Sequence, residues 1–375
     1  MTETYDCIVL GVGGFGSGAL DHLAARGISA LGIERYGIAH DQGSSHGQTR
    51  VIRQAYFEHA DYVPLMLEAY TMWESLETDS RKSLLHKCGL LLAGPANGQA
   101  VTGTRSAAAQ HGLPLEEVSR ERLAEQFPGF RLPEGYEAVF EAAGGYLEVE
   151  ACVEAHIHRA VQRGAQLHTG ETVTGWSSDG RTARVETDRE QYEAASLIIT
   201  AGTWAPQLLP DLPVRWDVVR KPLFWFPATT GDYNLDRGAG TFFLETAGGE
   251  FYGFPSLDGE TVKLAEHTGG QSIEDPLAVD RDVLPIDLPP VREFLDTFMP
   301  GIDPTPREHT VCMYTRTPDR NFVVDRHPGL NNVAIGAGFS GHGFKFTPIL
   351  GAVLADLALD GTTERSIDFL SLARP

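Results

Sequence analysis

The sequence predicts a mixed α/β fold in which a second domain interrupts the first. Two observations support this. An apolar run, a glycine-rich turn, an amphipathic segment and a second apolar run follow one another within the first 34 residues, and an apolar run at 332–338 leads through another glycine-rich turn to a helical pattern at 348–359. Between these ends, short runs separated by Gly, Pro and Asp fill 216–266 and are typical of an antiparallel sheet. The first domain is therefore expected to be discontinuous, with the second inserted into it.

The composition is that of an ordinary globular protein and excludes several classes of partner. The 375 residues are 42% hydrophobic and carry 30 basic against 51 acidic side chains, a net charge of −21. This balance argues against nucleic acid or an anionic membrane as a main partner. The four separated cysteines form no CxxC pair, so we expect neither a metal site nor a disulfide pattern. Without an apolar run of about 20 residues or a secretory signal, the expected location is the cytoplasm.

The first 34 residues predict a βαβ unit that binds a dinucleotide. Residues 5–10 suit a buried parallel strand, 17–26 a helix, and 28–33 a second strand that ends at Glu34. The turn between the first two is GxGxxG, from Gly11 to Gly16. Its glycines permit a tight turn, the approach of a pyrophosphate and close helix–strand packing, and Glu34 lies where a carboxylate can accept hydrogen bonds from a ribose. The pattern favours FAD or NAD over NADP and does not separate the first two. A glycine-rich turn in an unrelated α/β protein is the alternative.

Further elements follow from periodicity and turn residues. The pattern predicts a loop at 37–47, helices at 62–77 and 150–163, and strands at 171–177, 182–188 and 195–202. Four large apolar residues recur at helical spacing in the first of these helices and are interpreted as core: Met66, Tyr70, Trp73 and Leu76.

Six stretches then resemble a known family, that of monomeric sarcosine oxidase, N-methyltryptophan oxidase and pipecolate oxidase, within the D-amino-acid-oxidase-like flavoenzymes. They are GSSHGQTRVIR at 43–53, YVPL at 62–65, FYGFP at 251–255, VKLAEH at 262–267, VCMYT at 311–315 and GFSGHGFKF at 338–346. The resemblance implies a Rossmann-like FAD-binding domain formed by 1–85, 145–215 and 315–375. It also implies an inserted α+β substrate domain, built on an antiparallel sheet, from 86–144 and 216–314.

The resemblance implies FAD, bound covalently through Cys312; a buried core cysteine is the alternative for this residue, and Cys7, Cys88 and Cys152 are interpreted as packing residues. A thiolate is soft and nucleophilic enough to form such a thioether. The cofactor-binding residues expected from the motif and the resemblance are Gly11, Gly13, Gly14, Phe15, Gly16, Glu34, Arg35, Ser45, His46, Thr49, Arg50, Val173, Gly202, Trp204, Cys312, Gly338, Gly341, Gly343, Phe344 and Lys345.

The implied substrate is a small amino acid with a secondary amine, whose carboxylate needs fixed cations. The resemblance implies Arg53, Lys345, Tyr252 and Phe243 as substrate-binding residues, and Lys263, His267, Tyr314 and Arg50 as catalytic residues. Lys263 is expected to assist the reduction of O2. A surface arginine at 53 and a solvent-facing lysine at 263 are the alternatives, and His342 is interpreted as a turn residue without a catalytic role.

The reaction implied is transfer of a hydride equivalent from a secondary-amine amino acid, such as sarcosine or N-methyltryptophan, to FAD. Hydrolysis of the imine and reduction of O2 to H2O2 follow, and the enzyme is expected to be a monomer. Four alternatives stay open: an oxidase of pipecolate or proline, a flavin dehydrogenase with another electron acceptor, a nucleotide-binding redox sensor without turnover, and an NAD-dependent dehydrogenase. The sequence departs from the resemblance before His267, which follows Ala265-Glu266, and in the loop GSSHGQ at 43–48, whose form is closer to the pipecolate-type members. These departures concern the choice of substrate.

Overall fold

The computed structural model describes residues 3–374. The strands are β1 Glu3–Leu10, β2 Ala30–Glu34, β3 Thr49–Ile52, β4 Leu85–His86, β5 Leu90–Pro95, β6 Glu116–Glu117, β7 Tyr136–Glu141, β8 Gly145–Glu148, β9 Gln166–Thr169, β10 Val173–Ser178, β11 Ala183–Thr187, β12 Gln191–Ile199, β13 Asp217–Pro227, β14 Thr241–Thr246, β15 Gly249–Gly253, β16 Thr261–Glu266, β17 Gln271–Ser272, β18 Glu308–Arg316, β19 Val323–His327 and β20 Leu330–Ala337. The helices are α1 Gly14–Ala25, α2 Tyr62–Ser80, α3 Gln99–His111, α4 Arg120–Gln126, α5 Val149–Gln162, α6 Ala205–Leu208, α7 Leu288–Phe298 and α8 Thr347–Leu359.

The first sheet confirms the predicted βαβ unit and the α/β fold. β1 pairs in parallel with β2 on one side and with β12 on the other, β2 continues to β9, and β12 also pairs in parallel with β20. Helices α1, α2, α5 and α8 pack into one core cluster on this sheet. The strands come from residues 3–34, 166–199 and 323–337, so widely separated parts of the chain build one sheet.

A second sheet forms one wall of the cavity that is described in the next section. Its strands follow the order β17-β13-β16-β15-β14-β5-β7-β6, with β18 added to β13. One face packs on α7 around Phe224, Phe242 and Phe294. The other face carries Phe243, Tyr252 and Tyr314 toward the first sheet. A third sheet has three strands in the order β3-β8-β4. The domain boundaries given above stay a prediction.

The apolar stripe of α2 is core, as predicted: Met66, Tyr70, Trp73 and Leu76 are all buried. Sequence periodicity missed α3, α4 and α7. For α3 the reason lies at its start, because the side chain of Glu245, far away in the chain, accepts a hydrogen bond from the backbone N–H of Ala100 at 2.7 Å. A helix whose exposed N–H groups are satisfied by a distant strand leaves no local start signal.

Candidate active site

One continuous cavity lies between the two large sheets and collects most of the predicted site residues. Its dinucleotide end is lined by Gly11, Gly13, Glu34, Val173 and Trp204, and its substrate end by Arg53, Glu58, Tyr252, His267 and Lys345. The wall also contains the other predicted residues Gly14, Phe15, Arg35, Ser45, Arg50, Gly202, Phe243, Tyr314, Gly338, Gly341, Gly343 and Phe344. The structure therefore brings together residues that span more than 330 positions of the chain.

The glycine turn has the geometry that the motif predicts. Gly11 has a φ of +82°, a left-handed conformation that favours glycine. A Cβ added at Gly16 would lie 1.9 Å from the carbonyl oxygen of Gly11, so this glycine is required for packing and does not line the cavity. A Cβ at Gly13 would meet only Ser45 Oγ, at 3.8 Å. The protein itself thus has room for a side chain at Gly13, and the space left free there faces the cavity.

Glu34 ties the glycine turn to the end of β2. It is buried, and its carboxylate accepts the N–H of Val12 at 2.9 Å and the N–H of Tyr36 at 3.0 Å, with His40 Nε2 at 3.3 Å. Burial alone would raise the pKa of Glu34, but the contact with His40 and these hydrogen bonds outweigh burial and lower it. The carboxylate therefore stays ionised at the wall of the cavity.

The dinucleotide end fits FAD on two further observations. Thr203 Oγ1 and Trp204 Nε1 are buried and have no hydrogen-bond partner among residues 3–374. Both residues line the cavity, so a polar ligand there would satisfy groups that the protein leaves unpaired. The guanidinium carbon of Arg35 lies 5.9 Å from the Trp204 ring, at the same wall.

Four predicted residues lie just behind the wall near the middle of the cavity: His46, Thr49, Lys263 and Cys312. The Cys312 thiol is buried and lies 3.4 Å from Arg50 Nη2 and 3.6 Å from the carbonyl oxygen of Ser44. His46 Nε2 is buried without a partner in the described part of the chain. Burial and the nearby Arg50 lower the pKa of His46 to about 3, so the ring is neutral.

Lys263 is buried, which makes the solvent-facing alternative wrong. Its neighbours Val262 and Leu264 face the core cluster around α7, so strand alternation turns Lys263 to the opposite side. The ammonium donates to the carbonyl oxygens of Gly47 and Thr49, and the latter distance is 2.9 Å. Burial, followed by the charge of Arg50, lowers the pKa of Lys263 well below its usual value.

Arg53 is also buried, so the surface-arginine alternative is wrong, and it already has a carboxylate partner. Its Nη2 lies 2.6 and 2.5 Å from the two oxygens of Glu58, and its Nη1 donates to the carbonyl oxygen of Ala55 at 3.0 Å. Burial would raise the pKa of Glu58, but Arg53 outweighs it and holds the pKa at about 2. The sequence analysis missed Glu58, which lines the cavity beside the predicted substrate cations.

Lys345 reaches the same end of the cavity from the turn before α8. Its Nζ donates to the carbonyl oxygen of His342 at 2.7 Å and lies 3.5 Å from the hydroxyl oxygen of Tyr56. The indole N–H of Trp73 donates to the Lys345 carbonyl oxygen at 2.8 Å and fixes the backbone there. Burial, with Arg53 next in importance, lowers the pKa of Lys345 to about 7.

Aromatic and uncharged groups complete the substrate end. The Tyr252 and Tyr314 hydroxyl oxygens are 3.3 Å apart, and the ring centroids of His267 and Tyr314 are separated by 5.7 Å. Phe243 packs on Phe57, with 5.1 Å between the centroids, and narrows this end. Burial lowers the pKa of His267 well below its usual value and raises that of Tyr314 well above it, so both are neutral near pH 7.

At the substrate end, the residues that sequence reasoning missed belong to one short segment. Tyr56, Phe57 and Glu58 lie three to five residues after Arg53 in the chain, and their signal was available as polar and aromatic residues close to a predicted site arginine. Among residues 3–374, no group of three or more His, Cys, Asp or Glu side chains could hold a metal ion. No helix in the described range is long and apolar enough to span a membrane.

Comparison with known proteins agrees with this geometry. Residues 6–357 match the family described as DAO, FAD dependent oxidoreductase. Monomeric sarcosine oxidase of Streptomyces avermitilis is 37% identical over 372 residues, covering 98% of this chain and 97% of that protein. N-methyl-L-tryptophan oxidase of Salmonella dublin is 34% identical over 377 residues and 99% of both chains.

Solved structures share the fold over the whole chain. NikD, described as an unusual amino acid oxidase essential for nikkomycin biosynthesis, superposes with a TM-score of 0.86 at 26% identity, covering 99% of this chain and 98% of its own. L-proline dehydrogenase from P. horikoshii gives a TM-score of 0.85 at 20% identity over 99% and 98% of the two chains, a likeness of fold alone.

Proposed function

The chain belongs to the family of FAD-dependent oxidoreductases, and on this premise we propose that it is an oxidase of N-methyl or other secondary-amine amino acids. The observation that carries the proposal is the pairing of two buried cations, Arg53 and Lys345, with neutral polar groups at one end of a cavity whose other end fits a dinucleotide. Burying a cation is costly unless an anion meets it. Glu58 meets Arg53, whereas the hydrogen-bond contacts of Lys345 Nζ are to a carbonyl and a hydroxyl oxygen, so an anion bound between the two cations would meet the Lys345 ammonium. The carboxylate of an amino acid is such an anion.

Arg53 and Lys345 bind the substrate carboxylate. The fork of the guanidinium can meet a carboxylate with two parallel hydrogen bonds, and the ammonium adds a point charge. Both cations are held by backbone or side-chain partners before the substrate binds. Binding therefore costs little further conformational entropy of these two side chains. The carboxylate thereby fixes the position of the carbon atoms next to the amine.

His267, Tyr252 and Tyr314 orient the amine. A secondary amine assists loss of a hydride equivalent only through its unprotonated lone pair. Because His267 and Tyr314 are neutral, they place no negative charge at the amine that would favour its protonated form. The hydroxyl groups of the tyrosines and the imidazole can each hydrogen-bond to a neutral amine.

FAD, when bound, supplies the acceptor for the hydride equivalent and, once reduced, the electrons for O2. Gly11, Gly13, Glu34 and Trp204 would hold its adenosine and pyrophosphate parts, Arg50 would line the cavity at its redox-active end, and Lys263 lies just behind the wall there. Water hydrolyses the imine product, and O2 is reduced to H2O2. The cationic form of Lys263 stabilises the negative charge that develops on oxygen during this reduction.

We further propose that the flavin is attached to the protein through Cys312. This proposal is supported by the resemblance of the VCMYT stretch, by the burial of the thiol beside the wall of the cavity and by Arg50, whose Nη2 lies 3.4 Å from the sulfur. The test is precipitation of the purified protein with acid. Yellow colour is expected in the pellet for the parent protein and the Cys88→Ser control, and in the supernatant for Cys312→Ser. Colour that leaves the parent pellet would contradict the attachment.

Activity is tested with a panel of amino acids in air, with H2O2 release as the readout. N-methylglycine and N-methyltryptophan are expected to release peroxide, whereas glycine and tryptophan, which lack the secondary amine, are not. Pipecolate and proline separate the cyclic alternative. Bleaching of the flavin by an amine without peroxide release would indicate a dehydrogenase with another acceptor. No bleaching by any amine would overturn the proposal.

We propose a cytoplasmic monomer as the working form. All four cysteines are free, as expected in a reducing compartment. Light scattering on the eluting protein should give a mass near 40.8 kDa. A mass twice as large would overturn the monomer.

A further inference from the structure

His342 occupies a turn that glycine residues would otherwise leave flexible. It lies between Gly341, with a φ of +83°, and Gly343. Both glycines line the cavity, and a Cβ at Gly341 would lie 2.3 Å from the ring of Tyr314. The turn therefore needs glycine for space, yet glycine gives its backbone little intrinsic rigidity. Something else has to fix the conformation.

The side chain of His342 is held at both ring nitrogens. Nε2 lies 3.0 Å from the carbonyl oxygen of Arg320, and Nδ1 lies 2.6 Å from the hydroxyl oxygen of Tyr56. A carbonyl oxygen can only accept, so Nε2 carries the hydrogen and Nδ1 accepts from the tyrosine hydroxyl. Tyr56 is fully buried and His342 is 7% exposed, so water competes little for these bonds. These two bonds hold the imidazole between the segment that follows β3, which contains Tyr56, and the loop before β19, which contains Arg320.

The main chain of the same residue holds the substrate-binding lysine. The carbonyl oxygen of His342 accepts from Lys345 Nζ at 2.7 Å, and Tyr56, which anchors the ring, has its hydroxyl oxygen 3.5 Å from that Nζ. One residue therefore connects a rigid aromatic anchor to the ammonium. If the ring were released, the glycine-flanked carbonyl and the ammonium that it holds would both be free to move.

We propose that His342 and Tyr56 are positioning residues that hold Lys345 in place to receive the substrate carboxylate. This inference rests on the proposed function, because it takes Lys345 as a carboxylate-binding cation. It assigns a role to a histidine that the sequence alone marks only as part of a turn. Neither His342 nor Tyr56 acts on the reacting atoms, so the effect is on binding.

The experiment uses the holoenzyme and two ligands. Methoxyacetate, an amine-free carboxylate of similar shape to N-methylglycine, is titrated by the change in the flavin spectrum, and N-methylglycine turnover gives kcat and KM. For Tyr56→Phe and His342→Leu we expect the methoxyacetate Kd and the KM to rise roughly tenfold, the equivalent of one lost hydrogen bond to a charged group. The kcat should change less than about threefold, because the chemical step keeps its residues.

Tyr70→Phe is the matched control. Tyr70 is buried like Tyr56, its hydroxyl donates to the carbonyl oxygen of Ala143 at 2.8 Å, and it does not line the cavity. This variant loses a buried tyrosine hydroxyl bond and should leave both constants unchanged. Should His342→Leu fail to fold, Tyr56→Phe still tests the inference, since its ring packing is kept.

Lys345→Met distinguishes a failure of the positioning role from a failure of the carboxylate-binding role of Lys345. If this variant weakens methoxyacetate binding but Tyr56→Phe and His342→Leu do not, the positioning role is wrong and the carboxylate site stands. If Lys345→Met itself binds methoxyacetate normally, the carboxylate role of Lys345 in the proposed function fails first. Equal loss in kcat and in binding for Tyr56→Phe would also overturn the inference, because a positioning residue for the carboxylate should act on binding.

Discussion

Different kinds of chemical group form the two ends of the cavity. The dinucleotide end uses backbone and small residues: glycines at 11 and 13, and a carboxylate, Glu34, that binds two backbone N–H groups. The substrate end uses buried charges that are partnered inside the protein, Arg53 by Glu58 and Lys345 by the His342 carbonyl oxygen. The first end offers unpaired polar atoms to a ligand, whereas the second offers charges already held in place.

This difference indicates how each end recognises its ligand. Thr203 Oγ1 and Trp204 Nε1 have no partner in the described part of the chain and would gain hydrogen bonds when a ligand binds, so affinity at the dinucleotide end depends on how well the ligand fits. At the substrate end the ligand carboxylate competes with groups that are already present, so affinity depends on the balance of charge. Steric changes should therefore have their largest effect at the first end, and charge or pH changes at the second.

The largest effect is expected from Gly16→Ala. The new methyl group would lie 1.9 Å from the carbonyl oxygen of Gly11 and 2.8 Å from Thr200 Oγ1, both at the junction of α1 with the sheet. Such overpacking of a rigid backbone should cost roughly 3 kcal/mol. We expect a lower melting temperature and loss of bound flavin, measured by the ratio of flavin to protein absorbance.

Gly13→Ala is the control, because its methyl group has room in the protein, with Ser45 Oγ at 3.8 Å. It should fold with a melting temperature close to the parent and lose only flavin content. Equal melting temperatures for the two alanine variants would break the steric account of the dinucleotide end.

The same contrast explains what the sequence could predict. The βαβ unit, the glycine turn and Glu34 lie within 34 consecutive residues, so a local pattern predicts their fold and proximity. Cavity-lining Phe243 and Lys345 were placed at the site only by resemblance. No local rule joins β14 to the turn before α8, because their contact depends on how two sheets pack.

Glu58 shows why the remainder escaped prediction. It lies five residues from Arg53, and a sequence gives no sign of whether such a pair turns inward together. The pair is informative because Arg53 is buried and Glu58 is half-buried, and their placement follows from the packing of Tyr56 and Phe57 with distant aromatic residues. Charges that neutralise one another inside a protein leave no trace in composition.

The second largest effect concerns Lys263, a buried lysine beside the middle of the cavity. Lys263→Met should slow reoxidation of the reduced flavin by air on the order of 100-fold, the size expected when a fixed charge that stabilises a developing anion is removed. Reduction of the flavin by N-methylglycine without oxygen should change only a few-fold. Rapid mixing measures the two half-reactions separately, and equal slowing of both would refute this role.

A third effect follows from Lys345, whose pKa burial and Arg53 lower to about 7. The lysine is cationic below that pH and becomes neutral above it, so a bound carboxylate loses one of its two cations as the pH rises. The methoxyacetate Kd should therefore be constant below pH 6 and rise by about tenfold per unit above pH 7 until Arg53 alone holds the ligand. Methoxyacetate has no amine, so its own ionisation does not contribute between pH 6 and 9. The Lys345→Met variant should show no such rise.

The smallest expected effect on a binding constant is the most informative for the comparison, because it separates the contribution of charge from that of shape at the substrate end. Glu58→Gln keeps the shape of the side chain but removes the negative charge that shares Arg53 with an incoming carboxylate. At pH 6, methoxyacetate should bind several-fold more tightly, since it no longer competes with an internal anion. The protein should become less stable by roughly 3 kcal/mol, because a buried guanidinium loses its charged partner. Tighter binding together with a lower melting temperature is expected if Glu58 and the ligand carboxylate both bind the charge of Arg53. Weaker binding would mean that Glu58 orients Arg53 for the ligand, so that the internal ion pair assists recognition.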